Sequence, residues 1–142
     1  MKSAPQAAGQ RWARDVAARW RARGVLTAEA YHVGWELARG ERDRGDIGGV
    51  PGTVIEVKNL SDDRVAAGLN QALLARARQA ADWAWYFKKY RGRGTGRGLA
   101  VCEVDQAITL HLLLAELERM VGPARYRLAL EAVSETVNLK AG

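Results

Sequence analysis

The chain has 142 residues, 48% of them hydrophobic, which is enough for one core to be buried without disulfide or metal staples. Lysine and arginine outnumber the acids 22 to 16, a net charge of +6, and no apolar run approaches the roughly 20 residues a membrane helix requires, so a membrane span is excluded. The start of the chain, with Lys2, Gln6, Gly9, Gln10 and Arg11, lacks the apolar stretch of a secretory signal, and the single cysteine, Cys102, can form neither an intramolecular disulfide nor a cysteine zinc knuckle; a cytoplasmic protein is expected.

In chain order, residues 10 to 23 read as a helix, because Trp12, Val16 and Trp20 recur every four residues and Gly24 stops the run. Its outer face carries arginines. Tyr31, Val33, Trp35 and Leu37 alternate with His32, Gly34 and Glu36, the period of a half-buried strand, and residues 39 to 44 form its turn. Two paired strands follow around Val50-Pro51-Gly52, the second being Thr53 to Lys58.

A helix is expected over about 62 to 81, capped by Ser61 or Asp62, with Val65, Leu69, Ala72, Leu73 and Ala80 as its apolar stripe. Trp83 to Phe87 reads as a strand, the glycine-rich stretch 91 to 98 as a mobile hairpin loop, and Leu99 to Val104 as a returning strand in which Cys102 is a small buried hydrophobe. Asp105 caps a long helix to about Met120, and Pro123 opens a last helix to about 137. The expected organisation is a domain over 1–121 followed by a helical extension over 122–142 that packs or dimerises.

Charge is uneven along this order. Residues 1 to 24 hold six cations against Asp15 alone, and 86 to 98 hold Lys88, Lys89, Arg91, Arg93 and Arg97 with no acid. Clustered cations of this kind suit a polyanion, whose condensed counterions they release; a solvated basic surface has the same composition. His32 and His111 stand alone, without metal-ligand spacing, and the run Gly92 to Gly96 lacks the lysine and helix of a phosphate-binding loop. The five tryptophans read mainly as core.

Chemistry concentrates in one place. Glu56 and Lys58 leave the same face of a predicted strand, between Ile55 and Val57 on the other. If Asp46 faces Glu56, each facing pair sums to 102 and the strands join through an odd loop or a bulge at Gly48-Gly49; a two-residue turn would put Asp46 on the wrong face. Two converging carboxylates make a hard oxygen site suited to magnesium or manganese, and a neighbouring lysine can hold a water or stabilise phosphorane-like charge, as phosphodiester hydrolysis requires. The same residues also fit a cross-strand salt bridge on a solvated sheet face.

Asp46, then Glu56-Val57-Lys58 after a gap of nine, resembles the signature of the PD-(D/E)xK nucleases, with Gly45 where the loosely kept proline would stand. More narrowly, Asp43-Arg44-Gly45-Asp46-Ile47, Gly49-Val50-Pro51-Gly52 and Ile55-Glu56-Val57-Lys58-Asn59 resemble the Holliday-junction resolvase-like proteins of actinobacterial phages and their hosts. The resemblance covers residues 9 to about 110 in element order, and 43 to 59 carry its specific part.

It implies an α/β fold with a restriction-endonuclease-like core, a central mixed β-sheet flanked by helices in the order αβββαββ, with C-terminal helices beyond it. It further implies a homodimer hydrolysing branched DNA, most of all four-way junctions, with Mg²⁺ or Mn²⁺. By the same resemblance Asp46, Glu56 and the main-chain carbonyl of Val57 hold the metal, Lys58 orients the attacking water, and Gln71 on the next helix stands near the site. Arg44, Lys88, Lys89, Arg91, Arg93 and Arg97 are the candidate DNA contacts.

One position departs from the pattern. The family commonly carries a glutamate on the first helix, four residues after a glycine; here that position is Ala13, and Asp15 lies about 200° further round the helix. A DNA-binding module without activity is therefore the competing reading. Another PD-(D/E)xK nuclease, or an RNA-binding protein using its Arg-Gly segment, also fits.

Overall fold

The computed structural model describes residues 4–31, 45–58 and 64–140. The chain forms two compact units, residues 1–102 and 103–142. The division falls ahead of the long helix, not behind it as the expected 1–121 and 122–142 organisation has it.

The first unit is α/β. Helix α1 (Ala4–Ala22) is followed by strands β1 (Glu29–Ala30), β2 (Ile47–Gly48) and β3 (Thr53–Lys58), helix α2 (Val65–Gln79), then β4 (Trp83–Lys88) and β5 (Leu99–Val101). Among the described residues the strands make one sheet in the order β1-β2-β3-β4-β5, antiparallel throughout except for the parallel pair β3 and β4. A parallel pair needs a crossover, and α2 supplies it.

Strand alternation sends Ile55 and Val57 to one side of the sheet, where Trp12, Ala13, Val16 and Ala17 of α1 bury them together with Ile47 and Val50. The indole of Trp12 donates to the carbonyl of Phe87, and Trp20 stacks on the Phe87 ring at 6.4 Å. Val54, Glu56, Ala84 and Tyr86 face the other side, covered by α2.

That second interface is built from small residues. Gly68, Ala72 and Ala75 are the buried positions of α2, whereas Leu69 and Leu73, expected at the centre of its stripe, are half-buried flanks. The reason is Tyr86: its fully buried ring fills the space in front of Gly68, so only small residues fit along that line. Ala80 is no part of the stripe. It is exposed and ends the helix in the left-handed region at φ 49°, a conformation more often given to glycine. Arg64 holds the N-cap position without a side-chain hydrogen bond, and the expected caps Ser61 and Asp62 lie outside the described residues.

Other expectations move by a few residues. The first helix starts at Ala4, ahead of residue 10. Beyond Tyr31, the strand read at 31 to 37 and its turn lie outside the described residues; β1 is the pair just before. The glycine-rich connection between β4 and β5 contains a 3₁₀ turn at Thr95–Arg97 and rests on α1: a side chain at 96 would meet the Arg19 guanidinium, and one at 98 the Trp12 ring. Strand β5 ends at Val101, with Cys102 half-buried after it.

The second unit is a helical hairpin, α3 (Val104–Val121) and α4 (Pro123–Lys140), turned at Gly122 with φ 90°. Glu103, and not Asp105, takes the N-cap position of α3. Apolar residues occupy two sides of that helix, Val104, Ile108 and Leu112 on one and Leu113, Leu117, Met120 and Val121 on the other, and all are exposed. A helix apolar on opposite sides ordinarily lies in a core, and α4 can cover only one of them. No helix among the described residues is long and apolar enough to cross a membrane.

Candidate functional site

Strand β3 carries the centre of the site. Its partner register on β2 pairs Ile47 with Ile55, a sum of 102, while the Asp46 amide donates to the same Ile55 carbonyl, one residue off that register, so the ladder is irregular at Asp46. The odd loop is Val50-Pro51-Gly52, closed by a hydrogen bond from the Thr53 amide to the Val50 carbonyl at 3.2 Å. Gly49 and Gly52 take φ of 76° and 63°, so glycine is what lets the chain reverse here.

Asp46 is fixed at three points. Its amide donates to the Ile55 carbonyl at 2.9 Å, its carbonyl accepts from Tyr31 at 2.9 Å, and its carboxylate Oδ2 accepts the Val57 amide at 2.8 Å. The side chain thus replaces a main-chain acceptor just past the last paired residue of β2. A strand residue presents its N–H and C=O at the same edge, so the Val57 carbonyl faces the gap that Asp46 borders. Gly45 is buried with φ 85°, and a Cβ there would lie 2.9 Å from the Ile55 carbonyl oxygen, so glycine is what permits Asp46 to approach β3 so closely.

Glu56 is 5% exposed. The solvated sheet face that a simple cross-strand salt bridge would occupy is therefore not its setting: α2 covers that face. On the far side of β3 the parallel register sets Glu56 beside Tyr86 and Lys58 beside Lys88. Both lysines are half-buried, and the Lys89 amide extends the ladder by donating to the Lys58 carbonyl at 3.3 Å.

The sequence candidates therefore separate. Asp46, Glu56, Val57, Lys58 and Lys88 gather at one end of the β2-β3-β4 ribbon. Gln71 is exposed on α2. Arg91, Arg93 and Arg97 are exposed on the loop that leaves β4 at the lysine end, with Arg93 stacked 4.8 Å over the Tyr90 ring. Arg44 lies outside the described residues.

Ala13 is 6% exposed in the core between α1 and the sheet, on the side opposite Glu56, and Asp15 is exposed. The first helix therefore contributes to packing at position 13. Sequence reading also passed over a cleft beside β1, lined by Gln10, Arg14, Ala17 and Arg21 of α1 with Ala30 and Tyr31. Its signal was present: positions 10, 14, 17 and 21 form one helical stripe, and Arg21 turns back to donate to the Ala28 carbonyl at 2.8 Å.

Among the described residues no three His, Cys, Asp or Glu side chains form a metal cluster. No family model, curated protein or solved structure matches the chain.

Proposed function

We propose that the protein is a metal-dependent endonuclease that hydrolyses DNA phosphodiester bonds, with four-way and other branched junctions as its substrates. The observation that carries this reading is the burial of Glu56 beside Lys58 while Asp46 is locked onto the next amide of the same strand. Burying a carboxylate is costly, and setting it among held polar groups at one end of a sheet is the arrangement that acid-base and metal chemistry uses. The observed order of helices and strands, αβββαββ with one parallel pair, supports the restriction-endonuclease-like core that the resemblance implies.

Asp46, Glu56 and the Val57 carbonyl are hard oxygen donors, the kind that magnesium or manganese takes, and these three would hold the ion. Bound there, it would supply Lewis-acid stabilisation of the charge that builds on the phosphate. The Val57 amide keeps Asp46 in one orientation. Lys58, two residues beyond Glu56 on the same face, orients the attacking water, and the cations of the β4-β5 loop hold the DNA backbone beyond it.

The test is cleavage of a labelled four-way junction and of a linear duplex with the same arms, in Mg²⁺, Mn²⁺ or EDTA, beside Lys58→Ala. Metal-dependent cutting of the junction in preference to the duplex is expected, with Lys58→Ala reducing turnover about 100-fold or more while the protein still binds. Equal cutting of both substrates would remove the branch specificity. Binding without cutting in any metal would instead establish a DNA-binding module.

The enzyme acts as a dimer, and the second copy covers the hairpin of α3 and α4. Among the described residues eight large apolar side chains of α3 and three of α4 are exposed, Leu112 and Met120 by about two-thirds. Light scattering at micromolar concentration is expected to give twice the 15.6 kDa chain mass, and Leu112→Glu with Met120→Glu to give the single mass. A wild-type monomer would remove the dimer.

A further inference from the structure

From Trp83 to Cys102 the chain carries five cations and no acid, and an aromatic ring stands in solvent among them. Tyr90, two residues past the end of β4, is 45% exposed. The Arg93 guanidinium lies 4.8 Å over its ring, and the Arg93 amide donates to the Tyr90 carbonyl at 3.2 Å. Gly92, at φ 75°, lets the turn close and bring the two side chains together. Ring and guanidinium thus form one flat, cationic surface held by the main chain below it.

The rest of the loop is held as well. In its 3₁₀ turn the Arg97 amide donates to the Gly94 carbonyl at 2.9 Å, and the Gly98 amide to the Thr95 carbonyl at 3.2 Å. A Cβ at 96 would lie 3.0 Å from the Arg19 guanidinium, so an arginine of α1 stands against the loop. Among the described residues Arg19, Arg91, Arg93 and Arg97 form no ion pair. Their charges are available to a polyanion.

Phosphates alone explain the arginines but give no use to an exposed ring. An aromatic face flanked by cations is the combination that takes an unpaired nucleotide, whose base stacks on the ring while the cations follow the backbone. A base inside a duplex is covered by its neighbours and offers no such face.

We infer that Tyr90 and Arg93 form a stacking platform for an unpaired base of the DNA, with Arg91, Arg97 and Arg19 holding the adjoining phosphates. The inference rests on the nuclease reading for DNA as its substrate, and on the Tyr90 and Arg93 geometry for the platform itself.

The experiment measures binding of the whole protein to a single-stranded oligodeoxynucleotide carrying 2-aminopurine, and to the duplex of the same sequence, over a salt series in EDTA. The wild type is expected to prefer the single strand and to change the 2-aminopurine emission. Tyr90→Ala and Tyr90→Leu should each weaken single-strand binding about tenfold without altering its salt dependence, whereas Tyr90→Phe keeps the affinity. Arg97→Ala should instead flatten the salt dependence, as loss of a phosphate contact does. Equal affinity for duplex and single strand, or Tyr90→Leu binding as tightly as Tyr90→Phe, overturns the platform. A thermal melt on each variant confirms that the exposed position leaves the fold intact.

Cleavage of the four-way junction in Mg²⁺ is measured on the same preparations. If Tyr90→Ala and Tyr90→Leu lose single-strand binding but the wild type cuts no DNA, the platform stands and the nuclease reading falls. If the wild type cuts and Tyr90→Ala binds and cuts equally well, the platform falls and the nuclease reading stands.

Discussion

Replacing Glu56 by glutamine is expected to abolish metal-dependent cleavage while leaving DNA binding and the fold in place. The side chain is 5% exposed, so its size and shape matter to packing, and glutamine preserves both. What changes is charge. An anionic donor worth several kcal/mol of transition-state stabilisation becomes neutral, which corresponds to about a thousandfold loss in turnover.

Binding should not weaken, because removing a negative charge from a site for a polyanion lowers repulsion. Junction cleavage under single-turnover conditions, a filter-binding isotherm and a thermal melt on the same preparation separate the three quantities. A folded Glu56→Gln protein that retains a tenth of wild-type cleavage would remove Glu56 from the chemistry and leave its burial a matter of structure.

Gly68→Ala is expected to destabilise the first unit by about 2 kcal/mol or more, although alanine is the better helix former by about 1 kcal/mol. The added Cβ would lie 2.1 Å from Tyr86 Cε2 and 2.3 Å from Cδ2. The ring cannot retreat, because it is 2% exposed and belongs to β4, which is held between β3 and β5. Helix α2 must lift instead, and with it go the contacts of Ala72 and Ala75.

Urea unfolding should show a lower midpoint with the same slope. In a Tyr86→Phe background the cost should persist, since the two ring carbons remain; in Tyr86→Ala it should vanish, because the space is then empty. A Gly68→Ala protein more stable than wild type would mean that α2 does not rest on Tyr86.

The element order was legible in the sequence for local reasons. Trp12, Val16 and Trp20 mark α1 by their spacing, Pro51-Gly52 marks the reversal between β2 and β3, and Pro123 after Gly122 marks the break between α3 and α4. The pairing of Ile47 with Ile55 was legible for the same kind of reason. With a hairpin, loop length and strand alternation leave one register, which is observed at Ile47 and Ile55, while the Asp46 amide departs from it by bonding the Ile55 carbonyl.

The packing of α2 was not legible. Its leucines look like the buried stripe until Tyr86 arrives from 18 residues along the chain and claims the space in front of Gly68. The β4-β5 loop misled in the same way. Its glycines read as mobility, whereas two of them are where Arg19 and Trp12 of α1 press against it, a contact between segments some 80 residues apart. Ala13 read as a missing acid, and its surroundings show a core position on the other side of the sheet from Glu56.

By itself, then, the sequence determined the hairpin and its register at Ile47 and Ile55, because these depend on alternation and turn geometry within some dozen residues. Only the tertiary structure decided that Lys88 is the register partner of Lys58 and that Gln71 is exposed on α2. A parallel register follows from how the crossover helix docks, and docking is settled by side-chain volumes on elements far apart in the chain, which no local pattern records.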